Sequence, residues 1–176
     1  MKKQIMDEAA LRRAVMRISH EIIEKNKGTE NLILVGIRRR GVQLGQMIRE
    51  NIAKIEGTEI PFETLDIHFY RDDLTMEVEA PVFSGEKLGF EVTNKKIILV
   101  DDVIYTGRTV RAAIEAIFTM GRPSQIQLAV LIDRGHRELP FKADYIGKSI
   151  PTSRNEKVSV KIECLDGETC VDLITD

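Results

Sequence analysis

The chain reads as an α/β protein with a mostly parallel central sheet flanked by helices. Three observations predict this. Short continuous apolar runs recur at 31–37 ("NLILVGI"), 95–100 ("KKIILV") and 126–132 ("IQLAVLI"), as strands covered on both faces require. Amphipathic helical segments lie between them, the alternation that builds parallel βαβ units. The length of 176 residues predicts one domain, 1–176, able to bury a core without cross-links.

Each element follows from its pattern. Residues 7–26 place Leu11, Ala14, Val15, Ile18 and Ile22 on one helical face and Arg13, Arg17 and His20 on the opposite one, with Gly28 as a C-cap. After the 31–37 strand, Gly41 opens a second helix through Leu44, Met47 and Ile48. Residues 63–70 alternate Leu65, Ile67 and Phe69, a strand pattern. Residues 71–94 are polar, with Pro81, Gly85 and Gly89 and no period. A stretch of that length inside a compact domain points to function or mobility. The 95–100 strand leads to a helix over 108–120 carrying Val110, Ala113, Ile114 and Ile117, stopped by Gly121 and Pro123. Beyond the 126–132 strand, the short strand-like pieces 143–147 and 158–164 suggest a small added subdomain past residue 133.

Composition narrows the class. No apolar run approaches the roughly 20 residues that span a bilayer, and "MKKQ" is not the start of a secretion signal, so a cytoplasmic location is expected. Cys164 and Cys170 lack companions at metal spacing and read as reduced thiols. The formal net charge of −2 does not announce a nucleic-acid binder. Its distribution is uneven, however: residues 57–91 hold nine acids against two bases, while 133–162 hold seven bases against four acids. A weakly acidic total can therefore hide a basic surface.

The most informative stretch is "IILVDDVIYTGRT" (97–109). Ligands of parallel α/β sheets bind beyond the carboxyl ends of the strands, where Asp101 and Asp102 are expected. Two carboxylates there can accept hydrogen bonds from the vicinal hydroxyls of a ribose. The following helix N-terminus, with Thr106, Gly107 and Thr109, suits a phosphate. A phosphorylated ribose lying across this loop satisfies both halves. "VGIRRRG" (35–41) places three arginines at the end of another strand, a source of forked donors for phosphate oxygens.

The 13-residue order closely resembles the signature of type I phosphoribosyltransferases, which bind phosphoribosyl pyrophosphate (PRPP). The resemblance implies that fold, with a small C-terminal hood contributed mainly by 133–163. It puts Asp101 and Asp102 on the ribose hydroxyls and Thr106, Gly107, Arg108 and Thr109 on the 5-phosphate, with Val103 and Tyr105 in the same PRPP- and UMP-binding stretch. Arg39 and Arg40 become the pyrophosphate contacts. "YRDDL" (70–74) becomes the start of a closing loop from which Tyr70 and Arg71 reach the pyrophosphate. Arg40, Tyr70, Arg71 and Asp102 are then the catalytic set. Mg²⁺ is expected to be held mainly by PRPP and water, with no protein ligand assigned.

The resemblance extends further. "RRAVMRISHEIIEKN", "DIHFYRDDL", "LIDRGHRELPFKADYIGKSIPTS" and "EKVSV" are similar to bacterial pyrimidine operon attenuation regulators, the PyrR family, from about residue 5 to 163. That family makes UMP from uracil and PRPP, and binds pyrimidine operon leader mRNA when loaded with uridine nucleotide (UMP or UTP). It forms homodimers or dimers of dimers. The likeness implies base contacts from Arg134 and the Val158 backbone, and RNA contacts from Arg13, Arg17, His20, Arg137 and Lys148. Met16 lies in this basic face where the family often carries a small hydroxyl residue. Two alternatives stay open: a purine salvage phosphoribosyltransferase without RNA binding, and a non-catalytic regulator on the same fold.

Overall fold

The computed structural model describes residues 1–68, 82–83, 89 and 91–175. Tyr70 and Arg71 lie outside the described residues, as does Phe69. Strand β1 (Lys2–Met6) precedes helix α1 (Glu8–Asn26), whose N-cap Asp7 accepts from the Ala10 amide at 2.7 Å. The helix ends with Lys27 in the left-handed region, at φ 55°, and Gly28 follows at φ 117°. Thus two residues, not Gly28 alone, turn the chain. Next come β2 (Leu32–Ile37), α2 (Arg40–Glu56), β3 (Phe62–Leu65), β4 (Ile67–His68) and β5 (Val82–Phe83). The expected strand over 63–70 is therefore split after Leu65.

Strand β6 (Lys96–Ile104), α3 (Arg108–Phe118), β7 (Gln125–Asp133), β8 (Tyr145–Ser149), β9 (Glu156–Lys161), α4 (Glu163–Asp166) and β10 (Cys170–Thr175) complete the described elements. The central sheet has the order β3-β2-β6-β7-β8, and all its pairings are parallel. Apolar residues cover both of its faces. Leu11, Val15, Ile18 and Ile22 of α1 and Leu44, Ile48 and Ile52 of α2 pack with Leu34, Ile98 and Val100. Val110, Ala113 and Ile117 of α3 pack with Val35, Leu99 and Val130. The continuous apolar runs are explained by this double coverage.

Two expectations change. Residues 143–147 belong with the central sheet, because β8 pairs in parallel with β7. The hood is larger than 133–163: β1, β10 and β9 form an antiparallel sheet in that order. Its buried Asp172 holds Lys2 at 2.9 Å and Lys161 at 3.7 Å, tying the chain's first strand to its last two. The far end of the sheet is closed by a buried polar cluster in which Tyr145 donates to Gln127 at 2.6 Å and Asn26 donates to both.

Candidate functional site

Because β2, β6 and β7 run parallel, the segments after Ile37, Ile104 and Asp133 emerge at one edge of the sheet. Strand β6 is longer than the sequence pattern predicts. The pairing with β2 ends at Gly36↔Val100, while pairing with β7 continues to Ile104↔Asp133. Residues 101–104 therefore project past β2 and form one wall of a recess. The turn after β2 forms the opposite wall.

The pair of acids sits inside this overhang and not after the strand. Successive strand residues face opposite sides, and the two carboxylates differ accordingly. Asp101 is 8% exposed. Burial pushes its carboxyl well above the usual range, and the neighbouring Asp102 charge adds to the rise. Its Oδ1 accepts the Asp102 amide at 2.8 Å. Asp102 is only half-buried, and its Oδ1 accepts the Val103 amide at 2.8 Å. Of the two, Asp102 is the carboxylate that a ligand can reach, and Asp101 backs it from the interior.

Val103 is half-buried and packs against the α1/α2 core, while Tyr105, Thr106 and Gly107 carry the chain into α3. Gly107 takes φ 93°, a conformation that disfavours other residues. A Cβ here would also lie 3.1 Å from the Phe141 ring. Thr106 Oγ1 accepts the Arg108 amide at 3.3 Å, and the Arg111 amide bonds to the Gly107 carbonyl at 3.0 Å. The Thr109 and Val110 amides have no partner among the described residues. Open amides at the start of an 11-residue helix make an anion-binding end. Arg108 turns aside to Glu138, at 3.0 and 2.6 Å, so its guanidinium is engaged away from the open amides of Thr109 and Val110.

The arginine turn has three different members. Arg38 is exposed, with Asp66 at 4.0 Å, and the Arg38–Arg39 peptide bond is cis. Arg39 is exposed; its carbonyl accepts the Val42 amide at 3.3 Å, and its guanidinium has no partner among the described residues. Arg40 is engaged: its Nε and Nη2 donate to Asp166 at 3.3 and 2.9 Å. Its guanidinium is thus held by α4, which differs from the free pyrophosphate contact expected from the motif. Gly41 brings α2 directly against β6, since a Cβ on it would strike the Val100 carbonyl oxygen and sit 3.2 Å from the Asp101 Cα. The sequence marked Gly41 only as a helix start, and Asp166 not at all. One acid among three in the segment 163–168 carries no local signal of a partner 126 residues away.

Arg134 is 8% exposed and is engaged in several contacts. It donates to Thr152 Oγ1 at 3.3 Å, Ser153 O at 3.3 Å and Glu156 O at 2.7 Å. Its guanidinium lies 4.0 Å from the Tyr105 ring centroid, and His136 meets that ring edge-on. Val158 is half-buried on β9 and packs onto the core. Arg134 thus joins the end of β7, the phosphate loop and the hood around one recess.

Arg13, Arg17, His20 and Met16 are all exposed on α1. Arg17 bonds to the Ile146 and Gly147 carbonyls of β8, which brings this helix face beside exposed Lys148. Arg137 has another task. Its guanidinium grips both Asp133 oxygens, at 2.8 and 2.7 Å, the Tyr105 carbonyl at 2.7 Å and the Phe141 carbonyl at 3.0 Å. It supports the back of the turn before α3, so its guanidinium is engaged within the chain, unlike the free RNA contact the resemblance implies.

Among the described residues, Glu168, Cys170 and Asp172 could approach one metal ion. The Asp172 charge is already balanced by Lys2 and Lys161, and burial raises the Cys170 thiol pKa, disfavouring the thiolate a metal needs. At the sheet edge, half-open Asp102 is the side chain that fits Mg²⁺, which takes few protein ligands and keeps phosphate oxygens and water. No helix among the described residues is long and apolar enough to cross a membrane.

Residues 1–165 match the family model described as a phosphoribosyl transferase domain. A protein of Caldicellulosiruptor bescii named "Bifunctional protein PyrR" is 62% identical over 96% of this chain and 93% of its own. One of the same name from Clostridioides difficile is 57% identical, covering 97% and 96%. Among solved structures, a hypoxanthine phosphoribosyl transferase of Trypanosoma cruzi superposes with TM-score 0.76 at 19% identity, covering 99% and 91%. A hypoxanthine phosphoribosyltransferase of Staphylococcus aureus gives TM-score 0.72 at 20% identity, covering 85% and 77%. At such identity these two speak for the fold alone. The chain belongs to the phosphoribosyl transferase family and, within it, to the PyrR family of bifunctional proteins.

Proposed function

We propose that this protein transfers the phosphoribosyl group of PRPP to uracil, giving UMP and pyrophosphate. We further propose that it binds pyrimidine operon leader mRNA under the control of UMP or UTP, in the cytoplasm, as a homodimer or dimer of dimers. The observation that carries the proposal is the paired arrangement at the overhang of β6. A reachable carboxylate, Asp102, stands immediately before a helix end whose Thr109 and Val110 amides are open. Relatives named bifunctional at 57–62% identity support the uracil and RNA halves.

In this arrangement the 5-phosphate rests on Thr106, Gly107, Thr109 and the α3 amides, with Val103 and Tyr105 lining the approach. Asp102 accepts the ribose hydroxyls. The Arg39 guanidinium, free of partners among the described residues, meets the pyrophosphate, and Tyr70 and Arg71, outside the described residues, are the further contacts proposed for it. Arg134 and the Val158 backbone hold uracil. When bound, Mg²⁺ would be held mainly by PRPP oxygens and water, with Asp102 the side chain placed to join them, and would supply charge stabilisation for the departing pyrophosphate. The uracil nitrogen forms its bond to C1 as the C1–oxygen bond breaks. The electron pair leaves with pyrophosphate, and the nitrogen proton passes to solvent. The chain supplies positioning, charge stabilisation and exclusion of water.

For RNA, Arg13, Arg17, His20 and Lys148 of two copies make one basic concavity whose affinity comes mainly from phosphate contacts. A base-preference assay with PRPP tests the enzymatic half. Uracil turnover is expected; rapid use of hypoxanthine or guanine with no uracil turnover would favour the purine salvage alternative. Absence of turnover with any base would favour a non-catalytic regulator.

A further inference from the structure

The Arg40–Asp166 pair joins two parts of the chain that the sequence keeps far apart. Arg40 is the first residue of α2 and ends the arginine turn. Asp166 ends α4, the link between the hood strands β9 and β10. The contact is forked, with Nε on Oδ2 at 3.3 Å and Nη2 on Oδ1 at 2.9 Å. Asp166 is itself fixed, since Oδ2 also accepts the Ile162 amide at 2.9 Å. Arg40 and Asp166 are 35% and 19% exposed, so the pair is partly shielded from water. A forked, charge-assisted contact of this kind sets direction as well as distance.

The other side of the turn is also anchored. Ile37 is buried in β2, and the Arg38 amide donates to the Leu65 carbonyl at 2.9 Å. Between these anchors the exposed Arg38 and Arg39 side chains project, and the Arg39 guanidinium has no partner among the described residues. The turn is therefore held at both ends, and one of those ends belongs to the hood.

We infer that Asp166 is a positioning residue for pyrophosphate recognition: it holds Arg40, and through Arg40 the turn that presents Arg39, from the connection between the two hood strands. The inference rests on the phosphoribosyl transfer proposed above. It assigns a role to a residue in the tail that touches no substrate. Arg40 then serves the pyrophosphate by staying on Asp166, not by leaving it.

The sign of one kinetic change tests this. Asp166→Asn keeps the shape of the side chain and removes the charge that grips Arg40. The KM for PRPP should rise about fivefold to tenfold, the scale of one lost charge-assisted contact, while kcat and the KM for uracil stay within about twofold. Asp166→Glu, which keeps the carboxylate, should recover most of the loss, and its retained charge keeps the test available if the Asn variant folds poorly. An unchanged PRPP KM would overturn the inference. A lower KM would also overturn it, because it would mean that Asp166 competes with pyrophosphate for the Arg40 fork. Equal loss in every parameter together with a lowered Tm would reduce Asp166 to a structural residue and sink the assignment. Wild-type protein without uracil-dependent pyrophosphate release would refute the transfer reaction itself, separately from any result on Asp166.

Discussion

Gly41→Ala introduces one methyl group at the tightest point of the site. Its Cβ would overlap the Val100 carbonyl oxygen and stand 3.2 Å from the Asp101 Cα. These are backbone atoms of a central strand with partners on both sides, so no side-chain rotation relieves the clash. Restoring ordinary contact requires the start of α2 to retreat from β6 by on the order of 1 Å. Overpacking of this kind costs about 1–3 kcal/mol, and each kcal/mol lowers Tm by about 2–4 °C in a domain of this size. The effect on turnover should be larger. The same retreat carries the arginine turn away from Asp102, and a misplacement of about 1 Å can cost about 100-fold in rate. Uracil-dependent pyrophosphate release, measured beside thermal unfolding at a temperature where the variant is folded, separates the two losses. A variant within about threefold of wild type in kcat/KM for PRPP would refute the claim that this contact sets the width of the recess.

Other substitutions probe the remaining parts. Asp101→Asn removes a carboxyl whose pKa burial raises well above the ordinary aspartate value. The folded wild type binds the carboxyl proton more tightly than the unfolded chain. Wild-type stability is therefore fullest below the ordinary aspartate value of 3.8 and falls as pH rises toward the elevated value of the folded state. The Asn variant should gain Tm relative to wild type from about pH 4 toward neutrality; a constant Tm difference across that window would contradict the sign. Arg134→Lys loses the bonds to Ser153 and Glu156 and the stacking on Tyr105. The KM for uracil should rise about tenfold with little change for PRPP, and the reverse pattern in steady-state kinetics would remove Arg134 from the base site. Arg17→Gln should weaken leader RNA binding in a gel shift by about three- to tenfold and spare uracil turnover; equal loss of both would refute separate surfaces.

The architecture was legible because double coverage leaves a direct trace. Strands such as "NLILVGI" are apolar throughout only when helices cover both faces. The candidate phosphate loop was legible for a local reason too: acids, glycine and threonines fall within 13 residues that form one strand-to-helix turn. What escaped was non-local. β1 and β10 are short, mixed in character and defined by pairing with each other, so neither has a period to read alone. Arg40 and Arg137 carried the expected charge, but Arg40 is drawn to Asp166 and Arg137 to the Tyr105 carbonyl, choices made by tertiary packing. Asp101 and Asp102 are adjacent and chemically alike in sequence. Only the overhang of β6 distinguishes a buried carboxyl from a reachable one.

The central claim is that one ribose-phosphate site serves both catalysis and nucleotide sensing. Its most direct test is the affinity for pyrimidine operon leader RNA during a UMP titration, set beside UMP inhibition of PRPP-dependent turnover at the same salt concentration. A shared site requires the nucleotide to fill it at related concentrations in both experiments, and reciprocal linkage adds that bound RNA tightens the nucleotide by the same factor as the nucleotide tightens RNA. RNA binding should tighten with UMP, with a midpoint that agrees with the inhibition constant, allowing for the shift that bound RNA itself imposes. RNA affinity indifferent to UMP, or a midpoint unrelated to the inhibition constant by any such linkage, would contradict a shared site.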